Sequence, residues 1–241
     1  VGSEMCIRDS SRTVLLISDV TAVREKEKQI LVKDSVIREI HHRVKNSLNT
    51  IAGMLRLQAR RSDNEETKTA LKIAVNRIMG IAQIHDILAV QSGDRIDWNI
   101  LLDKMCKLSL DSLATCRVEL IRERTEKPCI VLSEKALPLA IASNELIHNA
   151  IDHGFNGLEK GQLAVGTKIE NNEIHVYIKN DGIPLPPSFN QKKFDLGLQI
   201  VRTLVEIELN GTFELKNENG RVAAHIRCPV SMLEGSDAVS Y

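Results

Sequence analysis

Apolar residues recur at steps of three and four along two neighbouring segments, and this repeat restricts the possible fold more than any other feature. In the first segment, from about Val23 to Arg60, the repeat comprises Ile37, Ile40, Val44, Leu48, Ile51 and Leu55. In the second segment it comprises Leu71, Ala74, Ile78, Ile81, His85 and Leu88. Such spacing places each set on one side of an α-helix. Between the segments, Ser62-Asp-Asn64 ends the first helix and can cap the second.

Two amphipathic helices joined by a short turn predict a helical hairpin. A single hairpin cannot bury both apolar stripes, so we expect two copies of the chain to form a four-helix homodimer. Gly53 and Gly80 lie inside the predicted helices, where each costs about 1 kcal/mol relative to alanine. Close approach of another element would offset that cost. We assign residues 23–92 to this dimerisation region.

The regular helical repeat ends at Gln91-Ser-Gly-Asp94, where we place a domain boundary. Beyond it, helical and strand-like patterns are interleaved, and asparagine-rich turns suggest two antiparallel hairpins. The predicted helices are Trp98–Leu113, Leu137–His153 and Leu196–Leu209. The predicted strands are Arg117–Arg122, Leu163–Glu170, Glu173–Lys179, Thr212–Leu215 and Val222–Arg227. This order predicts a two-layer α/β sandwich over residues 96–231, which makes the chain an α+β protein with a helical hairpin followed by a sandwich.

Composition excludes several classes of function. Lys+Arg and Asp+Glu are both 32, and aromatic residues make up only 3%, so we expect no direct nucleic-acid partner. No apolar run has the length needed to cross a membrane, so we expect no membrane segment in this chain. The five cysteines are scattered and lack metal-site spacing. They favour reduced thiols and a cytoplasmic location.

The two ends of the chain are expected to lie outside these domains. Residues 1–11 do not fit the patterns of the neighbouring segment, and "MCIRDS" resembles a translated sequencing adapter, so we expect an artefact or disorder there. Residues 12–22 begin with a strand pattern, and "ISDVTAVREKEKQI" resembles the end of a PAS sensor domain and its exit helix. Residues 232–241 are polar and are expected to form a frayed tail.

Two adjacent histidines lie in the charged segment Glu39–Asn46. At 100° per residue, His41 lies about 40° from the centre of the apolar stripe and His42 about 140° from it. His41 therefore belongs at the edge of the core, and His42 points to solvent. Because a neutral imidazole is a good nucleophile at physiological pH, His42 is a candidate phosphoryl acceptor. By itself it would be interpreted as a surface histidine, whereas His85 is predicted to be packed and hydrogen-bonded.

A second candidate segment, Asn144–Ala150, begins a helical stretch that carries three polar side chains on one face. Glu145, Asn149 and His153 are spaced four residues apart and share that face. The amide oxygen of Asn149 suits Mg²⁺, which takes few protein ligands together with phosphate oxygens. Glu145 is a candidate to orient a metal-bound water or a reacting group, and His153 to contact phosphate. The alternative is a solvent-exposed polar face.

Two glycine-containing turns follow this helix. A carboxylate or amide at Asn180 or Asp181 can accept a hydrogen bond from an adenine amino group, and Gly182 would let the backbone approach the ring. Leu196, Gly197 and Leu198 open a helix whose N–H groups suit a polyphosphate. Lys192 and Lys193 precede it on a possible lid. The alternatives are an ordinary Asp-Gly turn and solvated lysines.

Taken together, these segments resemble bacterial sensor histidine kinases. "EIHHRVKNSLNTIAGMLRLQAR" resembles the phosphorylation box of the subfamily in which it reads HHRVKN, and "ASNELIHNAIDHGF" resembles the N box. "KNDGIPLPP" and "LGLQIVRTLVE" resemble the two glycine boxes, so the resemblance covers about residues 12 to 230. It implies a dimeric four-helix phosphoacceptor domain and an ATP-binding sandwich of the gyrase/Hsp90 type. It also implies ATP and Mg²⁺ as cofactors, His42 as phosphoacceptor and Asn149 as metal ligand.

The resemblance implies an autophosphorylating sensor kinase that passes its phosphoryl group to an aspartate in the receiver domain of a response regulator. The chain departs from the family pattern at four positions. Asn180 replaces the adenine-binding aspartate, Pro184 a glycine, Asp152 a lysine, and Arg43 the acid that follows the histidine in other subfamilies. The first three of these departures favour the main alternative, a non-catalytic dimeric signalling module with a degenerate ATP site. A phosphatase-dominant kinase is the other alternative.

Overall fold

The computed structural model divides the chain into two compact units, residues 1–40 and residues 41–241. It describes residues 21–90, 95–114, 116–123, 128–189 and 194–231. The expectations for residues 1–11, most of the PAS-like segment, the two lid lysines and the tail at 232–241 lie outside the described residues. No helix within the described ranges is long and apolar enough to cross a membrane.

The described part of the first unit, residues 21–40, is helical and belongs to α1 (Thr21–Arg61). Val32, Val36 and Ile40 repeat every four residues here, and each is more than half exposed. A helix that presents large aliphatic side chains on one side needs a partner surface to cover them.

The second unit begins with the remainder of α1 and with α2 (Glu65–Val90). Asn64 caps α2, since its Oδ1 accepts the Thr67 N–H at 3.0 Å, which confirms the predicted break and cap. A Cβ built on Gly80 would lie 2.5 Å from Asn144 Nδ2, whereas one on Gly53 would meet no described atom within 4 Å. The expected close approach therefore holds for Gly80 within the described chain.

The rest of the second unit is an α/β sandwich, as predicted. Its helices are α3 (Trp98–Leu113), α4 (Ser133–Asp152) and α5 (Leu196–Thr203), which continues as a π-helical segment (Leu204–Glu208). Its strands are β1 (Arg95–Asp97), β2 (Arg117–Glu123), β3 (Ile130–Leu132), β4 (Lys160–Glu170), β5 (Glu173–Asn180), β6 (Thr212–Glu218) and β7 (Arg221–Pro229).

Among the described residues, five strands form one sheet in the order β2-β4-β5-β7-β6. Strands β2 and β4 are parallel, and the other neighbours are antiparallel. Strands β1 and β3 pair separately. The predicted hairpins are confirmed, and their turns contain Asn171, Asn172, Asn219 and Gly220 at positive φ. Asparagine and glycine tolerate that conformation, which matches the twist of a tight hairpin.

The core lies between the sheet and helices α3, α4 and α5. Trp98, Leu139, Ile147 and Val201 contribute from the helices, and the inward faces of β4, β5 and β7 complete it. Ile84 and Leu88 of α2 belong to the same buried cluster. The end of the hairpin is therefore packed against the sandwich, and this places α2 beside α4.

Candidate active site

The two adjacent histidines of α1 lie in different environments. His42 is exposed, and His41 is partly buried with its Nδ1 2.9 Å from His85 Nδ1. Lys45, one turn further along α1, donates to Asp86 at 2.6 Å. The prediction that His85 is packed and hydrogen-bonded is confirmed. These two contacts hold α1 against α2 on either side of the His42 position.

Both members of the histidine pair favour the neutral form. Burial lowers the pKa of His41, and the neighbouring His42 lowers it further. Burial also lowers the pKa of His85, with a smaller contribution from His41. A hydrogen bond between two ring nitrogens needs one donor and one acceptor, so protonation of both rings replaces it with repulsion.

Acidification is therefore expected to destabilise the hairpin. Because the folded-state pKa values lie below the unfolded value of 6.5, the unfolded state binds more protons below that pH. The contribution of these two histidines to stability is fully present above pH 6.5, and it falls as the pH decreases towards the folded pKa values. Thermal unfolding followed by circular dichroism between about pH 7.5 and about pH 5.5 should show a falling midpoint.

The variant His85→Gln retains a hydrogen-bonding side chain but does not titrate, so the pH dependence should become shallower. Burial also lowers the pKa of His148 and of His225, and both contribute to the slope of the wild type. The comparison between variant and wild type therefore isolates the pair. An unchanged slope in His85→Gln would contradict this role of the pair.

A cavity of about 440 Å³ opens between α4, the sheet and the start of α5. Its walls are largely apolar, with Ile178, Leu198, Leu215, Val222 and Ala224 among the lining residues. Three of the predicted polar site residues line it, namely Asn149, His153 and Asn180. An apolar cleft with a few polar groups is the usual form of a small-molecule site, and this one has room for a purine ring.

Asn180 and Asp181 lie on opposite sides of the end of β5. Asn180 is 3% exposed, and its Nδ2 is buried without a hydrogen-bond partner among the described residues. Asp181 is exposed, and its Oδ1 accepts the backbone N–H of Gln162 at 2.6 Å. Successive side chains of a strand point to opposite faces, which explains the difference. Of this pair, Asn180 lines the cavity and Asp181 lies outside it.

Gly182 has a different role from the one expected. A Cβ at this position would overlap the carbonyl group of Gly154, and Ile183 donates its N–H to the same carbonyl at 2.8 Å. The glycine therefore lets the loop after β5 pack against the end of α4. Ile183, Pro184 and Leu185 of this loop line the cavity.

The start of α5 is only partly available to a polyphosphate. Asp195 is the N-cap, and its side chain accepts the Leu198 N–H at 3.0 Å. Leu198 is buried and lines the cavity, whereas Leu196 is 63% exposed. Asp195 was not among the predicted site residues, although an aspartate directly before a helix is a typical N-cap.

Gly197 lies against an ion pair that connects α2 with α4. Arg77 Nε lies 3.1 Å from Glu145 Oε2. A Cβ on Gly197 would lie 2.6 Å from Arg77 Nη2 and 3.0 Å from Glu145 Oε2. Burial raises the pKa of Glu145, and Arg77 opposes that rise. The carboxylate of Glu145 is thus buried and paired, and Arg77 is a site residue that was not predicted from the sequence.

Comparisons with known proteins agree with this arrangement. Residues 39–113 match a family model described as histidine kinase. Residues 134–231 match the model of the histidine kinase-, DNA gyrase B- and HSP90-like ATPases. The chain is 36% identical over 219 residues to the sensor histidine kinase PdtaS of Mycolicibacterium smegmatis, covering 90% of this chain and 44% of PdtaS. It therefore spans less than half the length of that curated relative.

Solved structures show the same fold. The histidine kinase domain of the Erythrobacter litoralis EL346 blue-light-activated kinase aligns with a TM-score of 0.56 and 20% identity, covering 85% of this chain and 95% of that one. Histidine kinase ThkA, solved in complex with the response regulator TrrA, aligns with a TM-score of 0.52 and 20% identity over 95% of this chain and 74% of that one. The chain combines a helical hairpin with an ATPase-type sandwich, and each part is matched by its own family model. Together they identify the chain as a member of the bacterial histidine kinase family.

Proposed function

We propose that this chain is the kinase part of an ATP-dependent sensor protein-histidine kinase, and that His42 is its phosphoacceptor. One observation carries the proposal: an exposed histidine lies on a helical hairpin in the same chain as a largely apolar, purine-sized cavity that a few polar side chains line. Both halves match the histidine kinase family. The proposed domains are 23–92 for dimerisation and phosphotransfer and 96–231 for ATP binding.

The cavity suggests how ATP binds. The adenine ring would lie between the apolar side chains of the sheet and those of α5, with Asn180 at its polar edge. The phosphates would extend towards Asn149, His153 and the start of α5, where Asp195 already accepts the Leu198 N–H. Asn149 is half-buried at the cavity wall, and its amide oxygen fits Mg²⁺, which when bound would neutralise charge on the phosphates.

The transfer step requires reach and charge stabilisation more than a general base. A nitrogen lone pair of the neutral His42 imidazole forms the N–P bond to the γ-phosphorus, and the bond to the bridging oxygen breaks, releasing ADP. The exposed position of His42 makes it accessible to an incoming triphosphate. We propose that an aspartate in the receiver domain of a response regulator accepts the phosphoryl group afterwards.

We also propose that the kinase is a homodimer. In the second unit, Ile51, Met54, Leu57 and Ile73 are between 46% and 60% exposed. All four belong to the helical hairpin, where a second hairpin would cover them. A cytoplasmic location and an upstream PAS-type sensor complete the proposal.

Incubation of the 241-residue chain with γ-labelled ATP and Mg²⁺ tests the proposed function. We expect one label per phosphorylated chain, stable in base and lost in acid, because an N–P bond to imidazole hydrolyses in acid. Chelation of Mg²⁺ should abolish the labelling. A label that is stable in acid would indicate a hydroxyl acceptor, and an absence of labelling in the presence of Mg²⁺ would contradict kinase activity of this chain.

A further inference from the structure

The cavity contains one polar group whose orientation nothing in the described structure fixes. Asn180 is buried, and its Nδ2 has no hydrogen-bond partner among the described residues. The amide packs against Gly154, where a side chain would collide with it. In this orientation Nδ2 makes no hydrogen bond to a described residue that a flip of the amide would break.

The strand side chains around Asn180 are apolar, so discrimination between purine ring edges depends on this amide. Ile178 lies two residues before Asn180 on the same face of β5, and Val222 and Ala224 occupy the facing positions of β7. Apolar side chains such as these can pack against a planar ring, but they cannot distinguish an amino group from a carbonyl group on its edge. Asp181, the nearest carboxylate in sequence, is held outside the cavity by the Gln162 backbone.

We propose that Asn180 lets this site accept 6-oxopurine nucleoside triphosphates as well as ATP, an inference that rests on the proposed function of the cavity. With Oδ1 towards the ligand, the amide accepts from the 6-amino group of adenine. After a flip, Nδ2 donates to the 6-carbonyl of a hypoxanthine or guanine ring. A carboxylate at this position only accepts, so it pairs with a 6-amino group and repels a 6-carbonyl.

The consequence is a measurable change in selectivity. A site that reads a ring edge with a buried hydrogen bond rejects the analogue that leaves this group unpaired. Failure to pair one buried group typically costs roughly 5- to 150-fold in affinity. The wild type should bind either ring without this loss of affinity. Asn180→Asp should lose affinity only for the 6-oxopurine.

Calorimetric titration of the 241-residue chain with the Mg²⁺ complexes of ATP and inosine triphosphate tests the inference. Inosine triphosphate is the better probe because it carries the 6-carbonyl without the additional 2-amino group of guanine. We expect the two dissociation constants of the wild type to agree within about tenfold. In Asn180→Asp, the ratio of the inosine to the adenosine constant should rise by roughly 5- to 150-fold.

The outcomes separate this inference from the proposed function. Binding of ATP with rejection of inosine triphosphate by the wild type overturns the inference and leaves the proposed function intact. An unchanged ratio in Asn180→Asp, measured on a variant with the circular dichroism spectrum of the wild type, also overturns it. Failure of both nucleotides to bind overturns the proposed function and the inference together. The wild-type ratio stands as a test even where the variant does not fold.

Discussion

The variant His42→Ala is expected to incorporate no label from γ-labelled ATP. The imidazole of His42 is exposed on α1, and alanine offers no nucleophile in its place. An exposed side chain contributes little packing, so its removal should not disturb the core. Alanine is also the best helix former, so α1 should remain intact. The loss of labelling should therefore reach the detection limit while the fold and the binding of ATP remain those of the wild type.

His41→Ala is the matched control, because it removes the same side chain from the adjacent position. His41 is partly buried and contacts His85, so its removal should lower the thermal midpoint but leave the acceptor in place. We expect label on His41→Ala, in a reduced or full amount. Labelling that survives in His42→Ala and disappears in His41→Ala would transfer the acceptor role to His41.

Much of the fold can be predicted from local patterns in the sequence. The predicted helix Trp98–Leu113 has the bounds of α3, and the asparagine-rich turns occur where the hairpins turn. Periodicity and turn chemistry are local properties, so they are readable from one sequence. Strands β1 and β3 escaped prediction because each has three residues and, within the described chain, pairs only with the other, some 35 positions away.

The starts of helices are less predictable. Helix α4 begins at Ser133, four residues before the predicted start at Leu137, and contains Pro138. A missing N–H costs little in the first turn of a helix, where the predicted start at Leu137 places Pro138. In α4, however, Pro138 is the sixth residue, beyond the first four N–H groups that have no partner within the helix. The continuation of α5 as a π-helical segment also has no counterpart in the hydrophobic pattern.

The site shows a sharper division between what the sequence reveals and what it does not. Glu145 and Asn149 share a face because helix geometry dictates it, and that spacing was visible in the sequence. Arg77 is 68 residues from Glu145, and no local pattern links the two. Gly182 and Gly197 were both interpreted as places for a ligand to approach. The structure shows each against a protein group, Gly154 in one case and the Arg77–Glu145 pair in the other.

Replacement of Arg77 by alanine should cause a large loss of stability. Glu145 is 5% exposed, and its ionised carboxylate depends on the guanidinium 3.1 Å away. Removal of one partner from a buried pair leaves a charge in a medium that solvates it poorly, at a cost of about 3–5 kcal/mol. We expect about 3 kcal/mol, since the side chain of Arg77 retains 19% exposure and water can enter from that side. Chemical denaturation at neutral pH measures the loss.

The double variant Arg77→Ala with Glu145→Gln distinguishes a lost charge partner from lost packing. Glutamine keeps the shape of Glu145 without its charge, so most of the stability should return if the unpaired carboxylate causes the loss. A double variant as unstable as Arg77→Ala would instead assign the loss to the contacts of the arginine side chain with Gly197 and its surroundings.

The pH dependence of the single variant gives an independent check, because its sign is fixed by the titration of Glu145. Burial raises the pKa of Glu145 above its unfolded value of 4.5, and the loss of Arg77 removes the main influence that lowers this pKa. In Arg77→Ala the folded state therefore binds the proton more tightly than the unfolded state. Its deficit relative to wild type should be smallest below about pH 4.5 and should grow as the pH rises through the elevated pKa of the variant. A deficit that stays constant over this range would show that Glu145 is not the group left unpaired, and the loss of stability would then come from the packing of the Arg77 side chain.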